Sequence, residues 1–155
     1  MQQWDEMAIQ RSGIPERVLM ESAGRAAARI VNERHPEGRV VAAVGRGNNG
    51  GDALVLLRTL QSWGRAVTAV PIPDHDIRSE LLHEWPLPIA RGEEATSAFG
   101  EAAVVVDGLL GTGASGPPRE PQAAAIRAMM AAERPVVALD GPTGGDMPTG
   151  RAEGG

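Results

Sequence analysis

The sequence contains no cysteine, no tyrosine and no lysine, and its aromatic residues are three tryptophans and one phenylalanine. The absence of cysteine excludes disulfides, thiol catalysis and zinc sites built from thiolates. So few aromatic side chains cannot form a platform for stacked bases, and a net charge of −5 without a basic cluster argues against binding to nucleic-acid phosphates. No apolar run reaches the roughly 20 residues that span a membrane. We therefore expect a soluble, cytoplasmic enzyme or binding domain, without nucleic-acid or membrane partners.

What the sequence does contain is enough apolar material for a core. Of its 155 residues 42% are hydrophobic, and this length is typical of one domain built around one core. We find no internal repeat and no linker, so residues 1–155 are expected to form a single domain.

Apolar runs alternate with segments of helical periodicity along most of the chain. The strands are expected at residues 39–44, 66–70, 103–107 and 135–140, and the helices at residues 15–34, 52–63 and 122–133. Between them, residues 76–84 and 93–99 suggest short helices and residues 87–90 a short strand. This alternation predicts an α/β fold, a doubly wound, Rossmann-like parallel sheet with helices on both faces.

Three glycine-rich segments follow three of the expected strands, at residues 45–52, 107–117 and 140–150. In parallel sheets with helices on both faces, ligands bind at the carboxyl ends of the strands, where the strand order switches. Three polar loops at one edge of one sheet therefore predict a ligand site there.

The first segment, Gly45-Arg46-Gly47-Asn48-Asn49-Gly50, has the spacing of a dinucleotide-binding loop between a strand and a helix. Two features argue against ordinary NAD recognition. Asp52 is expected in the first helical turn, where its charge would repel a pyrophosphate, and no acidic residue for the ribose follows about 20 residues later. Asp52 acting as a simple helix N-cap, with the two asparagines as turn residues, is the alternative.

The three segments together resemble the YjeF N-terminal domain family, which contains the NAD(P)H-hydrate epimerases. The resemblance rests on the sequences GRGNNGGD at residues 45–52, VDGLLGTG at 106–113 and LDGPTG at 139–144, and on MESAG at 20–24. It covers residues 4–150 and implies epimerisation of the R and S forms of hydrated NADH and NADPH. Members of the family continue beyond the last motif, so the C-terminal part of the family domain is expected to be missing here.

The resemblance also implies which residues form the site. Asn48, Asn49, Gly50, Gly51 and Asp52 would line one side of the hydrated dinucleotide, and Asp140 would contact it. The other side would be formed by the second loop, which comprises Gly111, Thr112, Gly113, Ala114, Ser115, Gly116 and Pro117.

A potassium ion is implied at Asn49, Asp107 and Thr143, where Thr143 supplies a hydroxyl that is commonly a serine in the family. An amide oxygen, a carboxylate and a hydroxyl are hard donors, which suit a hard cation. A turn hydroxyl that caps the local backbone is the alternative for Thr143.

Asp140 is the expected general acid and base. Asp107 must stay ionised if it binds a cation, and Asp52 at a helix N-terminus would favour its charged form. The alternative is that Asp140 caps the glycine-rich turn that follows it.

Two other functions remain open from the sequence. The same loops could hold a nucleotide without catalysis, or the domain could be a conventional NAD(P)-dependent oxidoreductase. The resemblance further suggests a homodimer and a kinase-type dehydratase, either fused or as a partner.

Overall fold

The computed structural model describes residues 15–77, 82, 85–109 and 119–139, and the fold is given for these residues. Helices and strands alternate along the chain, as the sequence predicts. In chain order they are α1 (Glu16–Arg34), β1 (Val40–Val44), α2 (Asn48–Ser62), β2 (Val67–Pro71), α3 (Glu93–Gly100), β3 (Val104–Gly108), α4 (Gln122–Ala131) and β4 (Val136–Ala138).

The four described strands form one parallel sheet in the order β2-β1-β3-β4. Val40 of β1 is in register with Val67 of β2 on one side and with Val104 of β3 on the other. The chain therefore leaves β1 in one direction to build β2 and returns to the opposite side of β1 to build β3. This places the switch in strand order between β1 and β3, the position where such sheets bind ligands.

Successive residues of β1 point to opposite faces of the sheet, and each face has its own hydrophobic core. Val40, Ala42 and Val44 pack in a cluster with the buried residues of α1 and α2. Val41 and Ala43 pack in a second cluster with residues of α3 and α4. Helices thus cover both faces, which confirms the predicted fold class.

Most of the expected elements agree with the structure to within two residues at each end, and three differ by more. Helix α2 begins at Asn48 rather than at residue 52, and its N-cap is Gly47, so Asp52 is not an N-cap. The strand expected at residues 87–90 is a single parallel bridge between Ala69 and Ile89. Of the helix expected at residues 76–84, the described residues 76 and 77 are not helical, and most of the rest lies outside the described residues.

No helix in the described part of the chain is both long enough and apolar enough to cross a membrane.

Candidate functional site at the carboxyl edge of the sheet

The ends of β1 and β3 are joined directly at the switch in strand order. The backbone N–H of Gly45, which follows β1, donates a hydrogen bond of 3.0 Å to the carbonyl oxygen of Gly108, the last residue of β3. A side chain on Gly45 would place its Cβ 2.4 Å from the carbonyl oxygen of Leu109. The loops that follow the two strands therefore start in backbone contact.

The first turn of α2 packs onto this junction with no room for a side chain at Gly50. A Cβ on Gly50 would lie 1.9 Å from the carbonyl oxygen of Gly45, well inside any real contact distance. A Cβ on Gly108 would lie 3.0 Å from the carbonyl oxygen of Asn49 and 2.9 Å from the Cβ of Ala53. Backbone contacts thus fix the start of α2 against the end of β3.

Asp107 provides a carboxylate at the same junction. It precedes the last residue of β3, is partly buried, and accepts a hydrogen bond of 3.1 Å at Oδ1 from the backbone N–H of Leu109. Burial raises the pKa of the Asp107 carboxyl, and the Leu109 N–H opposes this shift because it favours the ionised form. Among the residues that the structure describes, no arginine or histidine forms an ion pair with Asp107.

The structure places the first predicted group of site residues beside Asp107. Residues 48–52 form the first turns of α2, with Asn48 exposed and Asn49 and Asp52 partly buried and engaged in polar interactions. Asn49 is near Asp107 because its carbonyl faces Gly108, the next residue of β3. Two of the three predicted cation ligands therefore belong to adjacent segments.

The remaining predicted site residues lie outside the described residues. They are the second-loop residues at positions 111–117, the predicted acid–base residue Asp140, and the predicted cation ligand Thr143. The described residue before Asp140 is Leu139, whose backbone N–H donates a hydrogen bond of 3.2 Å to the carbonyl oxygen of Asp107.

The position of Asp52 changes one inference from the sequence. Because α2 begins at Asn48, Asp52 is its fifth residue, and the first turn carries no acidic side chain. The expected repulsion between Asp52 and a phosphate at the helix terminus therefore loses its basis, as does the expected effect of the helix terminus on the Asp52 charge. The sequence had suggested a later start because asparagine and glycine are weak helix formers.

A basic side chain lies next to the start of α2. Arg46 is exposed and stands two residues before Asn48. The N-terminus of a helix, together with a neighbouring arginine, is suited to an anionic ligand.

The described part of the chain holds no group of three or more histidine, aspartate or glutamate side chains that could bind a metal ion. Gly45 and Gly108 were not among the predicted site residues. Gly45 directly follows the buried strand β1, and Gly108 is the last residue of the buried strand β3. A glycine at the end of a valine-rich run is the signal that could have identified both.

Comparison with known proteins gives a family match over most of the chain. The sequence profile of a family described as "YjeF-related protein N-terminus" matches residues 16–155. The crystal structure of the yeast protein ynu0 (YNL200c) is similar in fold, with a TM-score of 0.78 at 26% sequence identity. That match covers 96% of this chain and 70% of the yeast chain.

Curated relatives with similar sequences carry two related names. An NAD(P)H-hydrate epimerase from Rhodopirellula baltica is 38% identical over 155 residues, and one from Cenarchaeum symbiosum is 40% identical over 151 residues. The chain spans 64% of the length of the first and 70% of the second. A bifunctional NAD(P)H-hydrate repair enzyme from Pyrobaculum aerophilum is 39% identical, and the chain spans 30% of its length.

Proposed function

Because the chain belongs to the family of YjeF-related protein N-terminal domains, we propose that it interconverts the R and S forms of hydrated NADH and NADPH. The observation that carries this proposal is the similarity to two curated relatives named NAD(P)H-hydrate epimerase, at 38% and 40% identity. The position of residues 48–52 and Asp107 at the switch in strand order supports it, because this is where such folds bind nucleotides.

The start of α2 is the proposed binding site for the phosphates of the substrate. A hydrated dinucleotide carries a pyrophosphate, and its first contact would be with the N–H groups of Asn48 and Asn49 and with the Arg46 guanidinium. Gly47 is exposed and nothing lies within 4 Å of a Cβ built on it, so a substrate can approach the backbone closely there. The second loop, residues 111–117, would enclose the opposite side of the substrate.

The reaction inverts the carbon of the nicotinamide ring that bears the added hydroxyl. Inversion requires either loss and return of that hydroxyl or opening and closure of the ring, and both routes transfer protons. Asp140 is the proposed general acid and base, since it follows the strand β4 and is not needed to bind the cation.

Asn49, Asp107 and Thr143 are the proposed ligands of a potassium ion. The donor set fits, because the Asp107 carboxylate is partly buried without an arginine or histidine ion pair among the described residues. The Asn49 turn packs against the adjacent Gly108. Bound potassium would offset the charge of Asp107 and hold the oxygen donors of three loops together.

Other parts of the proposal follow from the family. We expect the protein to act in the cytoplasm and to form a homodimer. A kinase-type dehydratase, as a partner or as part of a longer chain, would complete the repair of the hydrated nucleotide.

The decisive experiment incubates the protein with unequal amounts of R and S NADPH hydrate and follows both forms by chromatography. An epimerase brings the two forms to equilibrium at a rate that depends on enzyme concentration. Binding without interconversion would instead support a nucleotide-binding module, and activity on unmodified NADPH alone would support an oxidoreductase.

The acid–base assignment is tested with the variant Asp140→Asn, which keeps the size of the side chain but removes proton transfer. We expect its kcat to fall by about 10²–10⁴-fold, the range typical of general acid–base groups. Glu37→Gln is the matched control, because Glu37 is exposed in the turn before β1 at the opposite edge of the sheet. A wild-type rate in Asp140→Asn together with an inactive Asp107→Asn would assign the proton transfer to Asp107.

A further inference from the structure

Helix α1 contacts α2 at the turns that carry the candidate site. Gly24 of α1 is buried, and a Cβ at this position would lie 2.5 Å from both the Cβ and the Cγ1 of Val55. The same Cβ would lie 3.1 Å from the carbonyl oxygen of Asp52. The absence of a side chain at Gly24 therefore sets how closely α1 approaches the second turn of α2.

A polar contact ties the same two helices together. The Glu21 carboxylate, one turn before Gly24, accepts hydrogen bonds from Arg58 of α2 and, at 3.2 Å, from Arg25 of its own helix. The hydrogen bond from Arg58 is the main cause that lowers the pKa of Glu21, so this carboxylate stays ionised at neutral pH. The pair resists separation of α1 from α2.

The opposite side of these α2 turns has no space either. Gly50 contacts Gly45 at the end of β1, and Ala53 contacts Gly108 at the end of β3. The first two turns of α2 are thus held between the sheet edge on one side and α1 on the other. If α1 moves toward or away from α2, the sheet cannot absorb the movement, because the contacts between α2 and the sheet involve backbone atoms.

We propose that Gly24 is a positioning residue for the candidate site, acting through Val55 and Asp52 on the first two turns of α2. The expected effect on turnover rests on the proposed function, whereas the expected displacement of α2 does not. Gly24 lies in the MESAG segment, to which the proposed chemistry gives no role. An added methyl group at residue 24 displaces α2 and with it the side chains of Asn49 and Asp52.

The structural arm of the test does not depend on activity. Amide hydrogen exchange is measured on wild type, Gly24→Ala, Val55→Gly and the double variant Gly24→Ala/Val55→Gly. We expect Gly24→Ala to speed exchange in the first two turns of α2 more than in α3 or α4. In the same turns of α2, the double variant should be better protected from exchange than Val55→Gly. Removing the Val55 side chain frees the space that the new methyl group at residue 24 then fills.

The kinetic arm separates positioning from general loss of stability. Misplacement of about 1 Å can reduce turnover by about 10²-fold, so Gly24→Ala should lower kcat by up to that factor, with a smaller change in KM. Gly100→Ala is the control for glycine replacement, since nothing lies within 4 Å of its added Cβ. Phe99→Leu is the control for a weakened core on the opposite face, and it should keep its kcat at temperatures where it is folded.

The outcomes distinguish this inference from the proposed function. If wild type leaves the R and S forms unequal, the proposed function fails, and the exchange experiment still decides whether Gly24 positions α2. Exchange in α2 that is unchanged by Gly24→Ala, or a double variant that is no better protected than Val55→Gly alone, would overturn the positioning role. An active wild type with an equally active Gly24→Ala would overturn it as well.

Discussion

The strands β1 and β4, which lie in the middle and at one end of the described sheet, are made of the same two residue types, valine and alanine, but differ in burial. All five residues of β1 are fully or almost fully buried, whereas Val136 of β4 is 40% exposed and Ala138 is also exposed. β1 pairs with strands on both sides, and β4 pairs with β3 alone within the described residues. An apolar strand is therefore not necessarily a core strand. Position at an edge does not explain the difference by itself, because β2 lies at the other edge of the described sheet and is mostly buried.

The candidate site lies in the tightly packed region, at the ends of β1 and β3. Around β1 and β3, backbone atoms contact backbone atoms with no room for a Cβ on Gly50. Around β4, side chains reach solvent. Tight packing fixes the geometry of a site, and it also makes the surrounding positions intolerant of substitution.

The largest effect is expected from Gly50→Ala. The new Cβ would lie 1.9 Å from the carbonyl oxygen of Gly45, so either α2 or the end of β1 must move. We expect a loss of about 3 kcal/mol in the free energy of unfolding, the upper part of the range for overpacking. Denaturant unfolding measures it, with Gly47→Ala as the control, because nothing lies within 4 Å of a Cβ on Gly47. Similar stability of the two variants would show that the junction is not tightly packed.

The same substitution in the two strands tests the comparison directly. Val41→Thr buries a hydroxyl in the core and should cost about 1–3 kcal/mol of unfolding free energy. Val136→Thr places the same hydroxyl at a partly exposed position and should change stability by less than about 0.5 kcal/mol. Equal losses at the two positions would mean that β4 is covered in solution as fully as β1.

Potassium should stabilise the junction through Asp107. At ten times its dissociation constant, a ligand that binds only the folded state adds about 1.4 kcal/mol to the free energy of unfolding. We expect a rise in Tm with potassium that tetramethylammonium at the same ionic strength does not produce and that Asp107→Asn abolishes. A Tm that rises equally with both cations would contradict the proposed site.

The raised pKa of Asp107 gives the same residue a pH signature in potassium-free buffer. The folded carboxyl keeps its proton above its usual pKa of 3.8, where the unfolded carboxyl has lost it. Its contribution to stability is thus full below that pKa and is lost as pH rises through the raised value. Asp107→Asn should become increasingly stable relative to wild type as pH rises above 3.8. A stability difference that does not vary with pH would exclude this linkage.

A modest effect of opposite sign is expected at Thr59 on the buried face of α2. Its Oγ1 is buried without a hydrogen-bond partner in the described structure. Thr59→Val keeps the shape and removes this hydroxyl, so the free energy of unfolding should rise by about 1 kcal/mol. Thr68→Val is the contrasting variant, because the Thr68 hydroxyl accepts a hydrogen bond of 3.1 Å from Arg39. A destabilised Thr59→Val would show that the hydroxyl has a partner in solution.

The sequence could predict most of the fold because periodicity and punctuation are local. The valine-rich runs before Gly45, Gly108 and residue 139 predicted β1, β3 and β4, and the order of the three glycine-rich motifs predicted the family. The start of α2 could not be predicted in this way, since the residues at 48–51 are two asparagines and two glycines with weak helix propensity.

By itself, then, the sequence determined the parallel α/β fold, the edge of the sheet that carries the polar loops, and the residue types available there. Tertiary structure decided that Asn49 and Asp107 belong to adjacent segments, that α2 begins at Asn48, and that β4 remains partly exposed. The physical reason is that helix propensity and hydrophobic pattern act over a few neighbouring residues. Burial, the raised pKa of Asp107 and the close backbone contacts depend on segments that are distant in sequence.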